Sequence, residues 1–313
     1  MSTAVQQAPP SPSPRPARHR PARHRGDRVR SAIRGVGELF ITLGLVMLLL
    51  VVYEVYWTNL VSAGKQQAAA STLDQEWAKG DNPLIASPNP APAAPAAGAP
   101  AAQRSSSYAV APGQGFAKLY IPTFGPDYQF TVLEGTDAQT LDAGPGHYTG
   151  TAFPGERGNF AVAGHRVGKG APFNDLDLLR SCDAIIAETA DSWFVYRVLP
   201  MADEVPGWSG GKGASAATCS GNGGSVKVAP LGGAYTGVVG QEIVDPSQSQ
   251  VIAPVPNASA TPDPSQGAAL LTLTTCHPRF SAQQRLIIHA VLVKTWAKNG
   301  SPQGQLPPEM SER

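Results

Sequence analysis

Cys276, Arg285 and His165 are side chains whose types suit acyl transfer. A thiolate attacks a carbonyl near neutral pH and holds the acyl group. A guanidinium stays charged and offers forked donors to an oxyanion. An imidazole gives a proton to a departing group and takes one from an incoming group. Such a site needs the three groups on one rim of a rigid scaffold, so the elements carrying them must supply that placement.

Leu270 to Cys276 is apolar and β-branched enough for a buried strand, and Gln284 to Val293 is another. His277 to Gln283 lies between them, with Pro278 and Ser281 suited to a turn. A hairpin of these strands sets Cys276 beside Arg285. His165 follows a short strand, Asn159 to Ala163, and a permissive Gly164. Further strands are predicted at Ala117–Ile121, Gln129–Glu134, Gly158–Ala163, Ala184–Glu188 and Ser192–Leu199, with short helices at Asp137–Asp142 and Phe173–Leu179. The pattern is mainly β, a barrel or a sandwich.

The formal charge of +1 over 313 residues hides an asymmetry. Residues 15–34 carry eight arginines against a single acid, Asp27, and the run from Leu39 to Tyr53 has no charge. Val36 to Trp57 supplies the ~20 residues a helix needs to span a bilayer, with Tyr53, Tyr56 and Trp57 as an aromatic belt. The excess of arginine places residues 1–35 in the cytoplasm and the remainder outside. A cleaved secretory signal ending at Val61-Ser62-Ala63 is the competing reading; the length of the run favours a retained anchor. Either way the rest of the chain is exported, and topology explains the arginines better than nucleic-acid binding does.

Residues 58–107 read as an extracytoplasmic linker: a short polar helix over Gly64–Gly80 without a core of its own, then a semi-rigid Pro/Ala tract. The folded domain is expected over 108–296, and 297–313 reads as a frayed polar tail. Within the domain, Pro206 to Thr236 is glycine-rich, has little to bury and reads as a surface loop. Of three cysteines, Cys182 and Cys219 are chemically able to pair in an exported domain, closing a loop of roughly 40 residues; two separate thiols are the alternative. Pairing leaves Cys276 as the odd thiol.

Thr272-Leu273-Thr274-Thr275-Cys276 with Arg285 resembles the signature of the sortases, cysteine transpeptidases of Gram-positive cell surfaces. The flanking text CHPRFSAQQRLIIHAVL is most similar to class E sortases of actinobacteria. LYIPTFG at 119–125, LEGTD at 133–137, GPGHYTGT at 144–151 and NFAVAGHR at 159–166 extend the likeness over about 117–293. The resemblance implies a closed β-barrel with short helices behind one transmembrane helix. It makes Cys276 the nucleophile, His165 the general acid/base and Arg285 the oxyanion and substrate stabiliser. It further implies cleavage of a secreted protein's C-terminal sorting signal, of the Leu-Ala-X-Thr-Gly or Leu-Pro-X-Thr-Gly kind, between Thr and Gly. Transfer to an amine of a peptidoglycan precursor follows. The 206–236 segment is then an insertion that could overlie the substrate groove. Cys182 stands where the family has a turn glycine, which strengthens its pairing with Cys219.

Other readings stand beside these. His147 and Thr275 are candidates for lining the substrate site, although His147 equally suits a structural hydrogen bond in its Gly-Pro turn. No metal or other cofactor is expected: His277 and His289 are poorly placed for zinc with Cys276, and calcium, which activates some relatives, stays open. A cysteine hydrolase using water as acceptor and a non-catalytic, membrane-tethered β-barrel binding module are the alternative functions.

Overall fold

The computed structural model describes residues 25–84, 110–208, 218–258, 267–298 and 306–312. Half of the arginine cluster, the Pro/Ala tract and residues 209–217 of the glycine-rich segment lie outside the described residues. The chain divides into two units, 1–51 and 52–313.

The described residues of the first unit belong to the helix α1 (Arg25–Val52), whose last residue falls in the second unit. Its stretch Val29–Val52, 24 residues, is long and apolar enough to cross a membrane. A single π-helical turn, Tyr53–Trp57, holds the aromatic residues of the expected belt and lies in the second unit.

The second unit is mainly β. Its strands are β1 (Gly115–Tyr120), β2 (Gln129–Glu134), β3 (Gly146–His147), β4 (Gly158–Ala163), β5 (Ala184–Glu188), β6 (Ser192–Val198), β7 (Thr218–Gly221), β8 (Gly224–Lys227), β9 (Gln241–Val244), β10 (Ala269–His277) and β11 (Gln284–Ala297). Eight of the described strands close a barrel in the order β10-β4-β3-β2-β1-β5-β6-β11, with β11 returning to β10. Closure removes the exposed strand edges of an open sheet. β9 pairs with the first part of β11, from Arg285 to Ile288, and β6 with the rest, from Ala290 onward. Period-two alternation turns Leu271 and Leu273 of β10, Phe160 and Val162 of β4, and Leu286, Ile288 and Ala290 of β11 into the core. The residues between them face outward, and on that outer face the site is built.

Several expectations need correction. The helix expected over Phe173–Leu179 is only a 3-10 turn at Leu176–Leu178. Phe173, Leu176 and Leu179 recur every three residues and all enter the core, a spacing that suits the tighter turn. The 58–107 linker reading fails over its first 22 residues. Helix α2 (Thr58–Lys79) packs on the domain through buried Ser62, Leu73 and Trp77. Gln66 clips the edge of β2, donating to the Thr131 carbonyl at 2.9 Å and accepting from the Thr131 N–H at 2.8 Å. The polar text of α2 hid this, because its buried face holds only two large apolar residues.

The tail is not wholly frayed either. A 3-10 turn at Pro308–Ser311 buries Glu309, and the Glu312 carboxylate pairs with Arg197 of β6. The described part of the glycine-rich insertion is also more than surface loop. It contains α4 (Val205–Trp208) and the hairpin β7–β8. A disulfide joins Cys219 of that hairpin to Cys182, and Cys219, Val228 and Val238 share a small apolar cluster with Leu199. Lys294 donates to the Gly223 carbonyl, fixing the hairpin toward the far end of β11, nine positions and about 30 Å of strand from Arg285.

Candidate active site

β10 and β11 pair antiparallel in a register that sets Cys276 opposite Arg285. β4 runs parallel to β10 with Ala163 beside Thr274, so the chain leaves β4 through Gly164 and delivers His165 to the same rim. Gly164 is required there: a Cβ would come within 2.5 Å of the buried Phe173 ring. Cys276, His165 and Arg285 line one cavity of about 210 Å³ with Thr136, Leu141, Tyr148, Ala163, Gly164, Thr274 and Thr275.

That cavity continues into a second of about 380 Å³. The two share Thr136, Tyr148, Thr274 and Arg285. The second is walled by the end of β9 and the segment after it, from Val244 to Ile252, and floored by Ile287. Together they form a groove leading away from the thiol, apolar at Val251, Ile252 and Ile287. No described residue of the 206–236 insertion lines it, so the expectation that the insertion overlies the groove is not met among the described residues.

A buried polar network holds the groove wall against the barrel. Asn159 of β4 donates to the Ala253 carbonyl at 3.0 Å and accepts from the Thr272 hydroxyl at 2.7 Å. Thr272 also meets His289 Nδ1 at 2.8 Å, and His289 Nε2 lies 2.9 Å from Glu242 Oε1. Burial pushes the Glu242 carboxyl up, but its hydrogen bonds to His289 and Asn257 outweigh that and hold it below its ordinary range. His289 is therefore a core residue of this network.

Each member of the trio has a distinct setting. Cys276 is a free, half-buried thiol at the end of its strand. Arg285 donates to the carbonyls of Ala282 and Gln284, both at 3.0 Å, and makes no contact ion pair among the described residues; its charge reaches Asp245, which lines the adjoining cavity with it. His165 is partly buried. Desolvation is the largest influence and pushes its pKa below 6.5; Lys169 acts in the same direction and Asp142 opposes both. Its Nε2 has no hydrogen-bond partner among the described residues and lies 3.9 Å from Asp142 Oδ1. Lys169 Nζ occupies the same carboxylate oxygen at 2.9 Å.

Asp142 reaches this place through α3 (Ala138–Ala143). Asp137 caps that helix, accepting from the backbone N–H groups of Gln139 and Thr140. Arg166, beside His165, is buried. It donates to the Cys276 carbonyl at 3.3 Å, lies 2.9 Å from His277 Nδ1, and pairs with Asp177 at 3.1 Å. The Tyr148 hydroxyl meets Thr274 Oγ1 at 2.9 Å where the two cavities join. Asp142, Lys169, Arg166 and Tyr148 had no separate signal in the sequence, although Tyr148 and Arg166 lie inside the GPGHY and NFAVAGHR motifs.

The two substrate-lining candidates part company. Thr275 lines the cavity, and its hydroxyl donates to the Gly164 carbonyl. His147 does not line it: it is fully buried, with Nδ1 2.6 Å from Glu134 Oε2 and Nε2 3.0 Å from the Ala152 carbonyl. The rings of Phe116, Phe153 and Phe160 surround it. His147 is thus a packing residue, the structural option its Gly-Pro turn allowed.

Comparison with known proteins agrees with this arrangement. The sortase-domain family model matches residues 119–293. Sortase SrtE1 of Streptomyces coelicolor is 32% identical over 297 residues, 92% of this chain and 65% of the relative. This chain therefore spans just under two thirds of that protein. Sortase SrtE2 of the same organism is 27% identical over 275 residues, covering 86% of this chain and 85% of its own. Among solved structures, the SrtF sortase from Corynebacterium diphtheriae is similar at 42% identity and a TM-score of 0.54, over 65% of this chain and 95% of that one. With the barrel, the Cys276–Arg285 pair and His165 on one rim, the chain belongs to the sortase family.

Proposed function

We propose that this protein is a membrane-anchored transpeptidase that joins secreted proteins to the cell wall. One observation carries the reading: a free thiol and a guanidinium without a contact ion pair lie opposite each other across one strand pair, with a partly buried imidazole lining the same cavity.

In this reading the sorting signal lies along the groove, with its threonine carbonyl over Cys276. The Cys276 thiol passes its proton to His165, the resulting thiolate attacks that carbon, and Arg285 donates to the oxyanion of the tetrahedral intermediate. His165 protonates the departing glycine amine as the C–N bond breaks, leaving a thioester on Cys276. An amine of a peptidoglycan precursor then attacks the thioester, His165 takes its proton, and the thiolate leaves. The preferred signal is of the Leu-Ala-X-Thr-Gly or Leu-Pro-X-Thr-Gly kind. The apolar wall of Val251, Ile252 and Ile287 suits its leading leucine.

The apolar stretch Val29–Val52 supports a retained single span, with the arginine-rich end inside and the barrel outside. Sorting signals and lipid-linked precursors both arrive at that outer surface.

The test is to mix the full chain, in detergent micelles, with a Leu-Ala-X-Thr-Gly peptide and a glycine-type amine and follow products by mass. Amine-joined product that vanishes in Cys276→Ala is expected. Cleaved acid even at saturating amine would indicate a hydrolase. No reaction with either signal type would favour a tethered binding module.

A further inference from the structure

The loop that carries His165 is conformationally demanding. Gly168, Lys169, Gly170 and Ala171 all take positive φ, at 67°, 54°, 75° and 39°. Two of these have a Cβ, and each such residue costs on the order of 1–2 kcal/mol. A run of this kind keeps its shape only when its surroundings hold it. From within the loop, Ala171 N–H donates to the Gly168 carbonyl at 2.8 Å and Phe173 N–H to the His165 carbonyl at 3.0 Å.

From outside the loop, the Tyr128 hydroxyl donates to the Pro172 carbonyl and Lys169 pairs with Asp142, and a further hold comes from α2. Asn59 Oδ1 accepts from the Gly170 N–H at 3.0 Å, and buried Ser62 lies against Gly170. Gly170 adjoins Lys169, whose ammonium sits on the Asp142 oxygen that faces His165 Nε2. A chain of contacts thus runs from the start of α2 to the imidazole: Asn59, Gly170, Lys169, Asp142, His165.

We infer that Asn59 is a positioning residue for His165, and that the helix following the apolar segment thereby sets the working geometry of the site. The inference rests on the transpeptidase reading only for what His165 does. Asn59 contacts no reacting atom; it fixes the loop in which Lys169 and His165 share Asp142. The groove walls that would hold the peptide lie elsewhere, so the effect falls on turnover rather than on peptide binding.

The experiment uses the full chain in lipid nanodiscs, as wild type, Asn59→Ala and Asn59→Asp. Alanine raises helix propensity at this position, so α2 itself is not weakened, and the aspartate keeps an acceptor oxygen for Gly170. In Asn59→Ala, kcat for amine-joined product is expected to fall roughly tenfold with KM for the peptide unchanged, as for a catalytic group slightly displaced. The Gly170 amide should exchange faster with solvent, and Asn59→Asp should recover both values.

The His165 imidazole titration, followed by NMR, gives a readout independent of turnover. The charged groups around that ring are Asp142 from α3 and Lys169 from its own loop, while Arg285 from β11 and Cys276 from β10 line the shared cavity. A shifted midpoint in Asn59→Ala, restored in Asn59→Asp, is expected. Unchanged kcat in Asn59→Ala despite faster Gly170 exchange overturns the inference, as does unchanged exchange. If the wild type joins nothing, the transpeptidase reading falls, and identical titration of His165 in wild type and Asn59→Ala then overturns the positioning role separately.

Discussion

Thr275 donates its hydroxyl to the Gly164 carbonyl at 2.8 Å, so the residue before the thiol is hydrogen-bonded to the residue before the imidazole. The bond is buried and ties β10 to the exit of β4. Thr275→Val keeps the shape and strands the carbonyl, a loss of about 1–3 kcal/mol. We expect a lower denaturation midpoint and reduced kcat, with Thr275→Ser restoring turnover. Urea melts beside steady-state kinetics on the three proteins check this.

Arg285 spends its hydrogen bonds on two turn carbonyls and none on a carboxylate. Arg285→Ala removes the proposed oxyanion donor, which typically costs about 10²–10³ in rate. Arg285→Lys retains charge without the fork and should recover only part of that loss. Single-turnover acylation of Cys276, read by intact mass, separates this effect from acceptor binding.

Burial, the largest influence on His165, holds its pKa below 6.5; Lys169 adds to the depression and Asp142 offsets part of it. Lys169→Met should therefore move the titration up and Asp142→Asn should move it down, both visible by NMR. The sign for stability follows. The neutral imidazole is favoured in the folded state, so its contribution is complete above about 6.5 and is lost as pH falls through the lower folded value.

Trp77 of α2 is buried beneath the ammonium of Lys298, 4.4 Å from its ring, and Lys298 also bonds Glu188 of β5 at 2.6 Å. Trp77→Ala should lower stability by about 3–5 kcal/mol, the usual loss for a buried aromatic. A fragment starting at Tyr108 loses the whole helix and should melt below one starting at Val52, as calorimetry would show.

The Cys182–Cys219 bond spans 37 residues and ties the insertion to the barrel away from the groove. Replacing both cysteines with serine should cost roughly 3–4 kcal/mol of stability while leaving kcat unchanged. Denaturation and turnover of the double variant test the two halves of that statement.

The sequence displayed the trio because each member sits in a strong local pattern: two β-branched strands flanking a Pro-containing turn, and a strand ending in glycine. The register then follows from hairpin geometry. Asp142, Lys169 and Asn59 were not legible, since their roles depend on three distant segments meeting at one loop. α2 misled for a physical reason. Its contacts are made by Asn59, Ser62 and Gln66 with only Leu73 and Trp77 as large apolar residues, so periodicity gave no sign of a docked face. The short strands β3 and β9 were missed because two and four residues are too few to show alternation.

Two of the chain's three cysteines are locked in the disulfide, and the third is the thiol at the end of β10. Every equivalent of an alkylating reagent consumed by the native protein therefore reports one nucleophile. Peroxide has a single thiol to convert to sulfenic acid in the folded chain. Loss of thiol titre and loss of turnover should run one to one, making the thiol count of any preparation a direct measure of its active fraction.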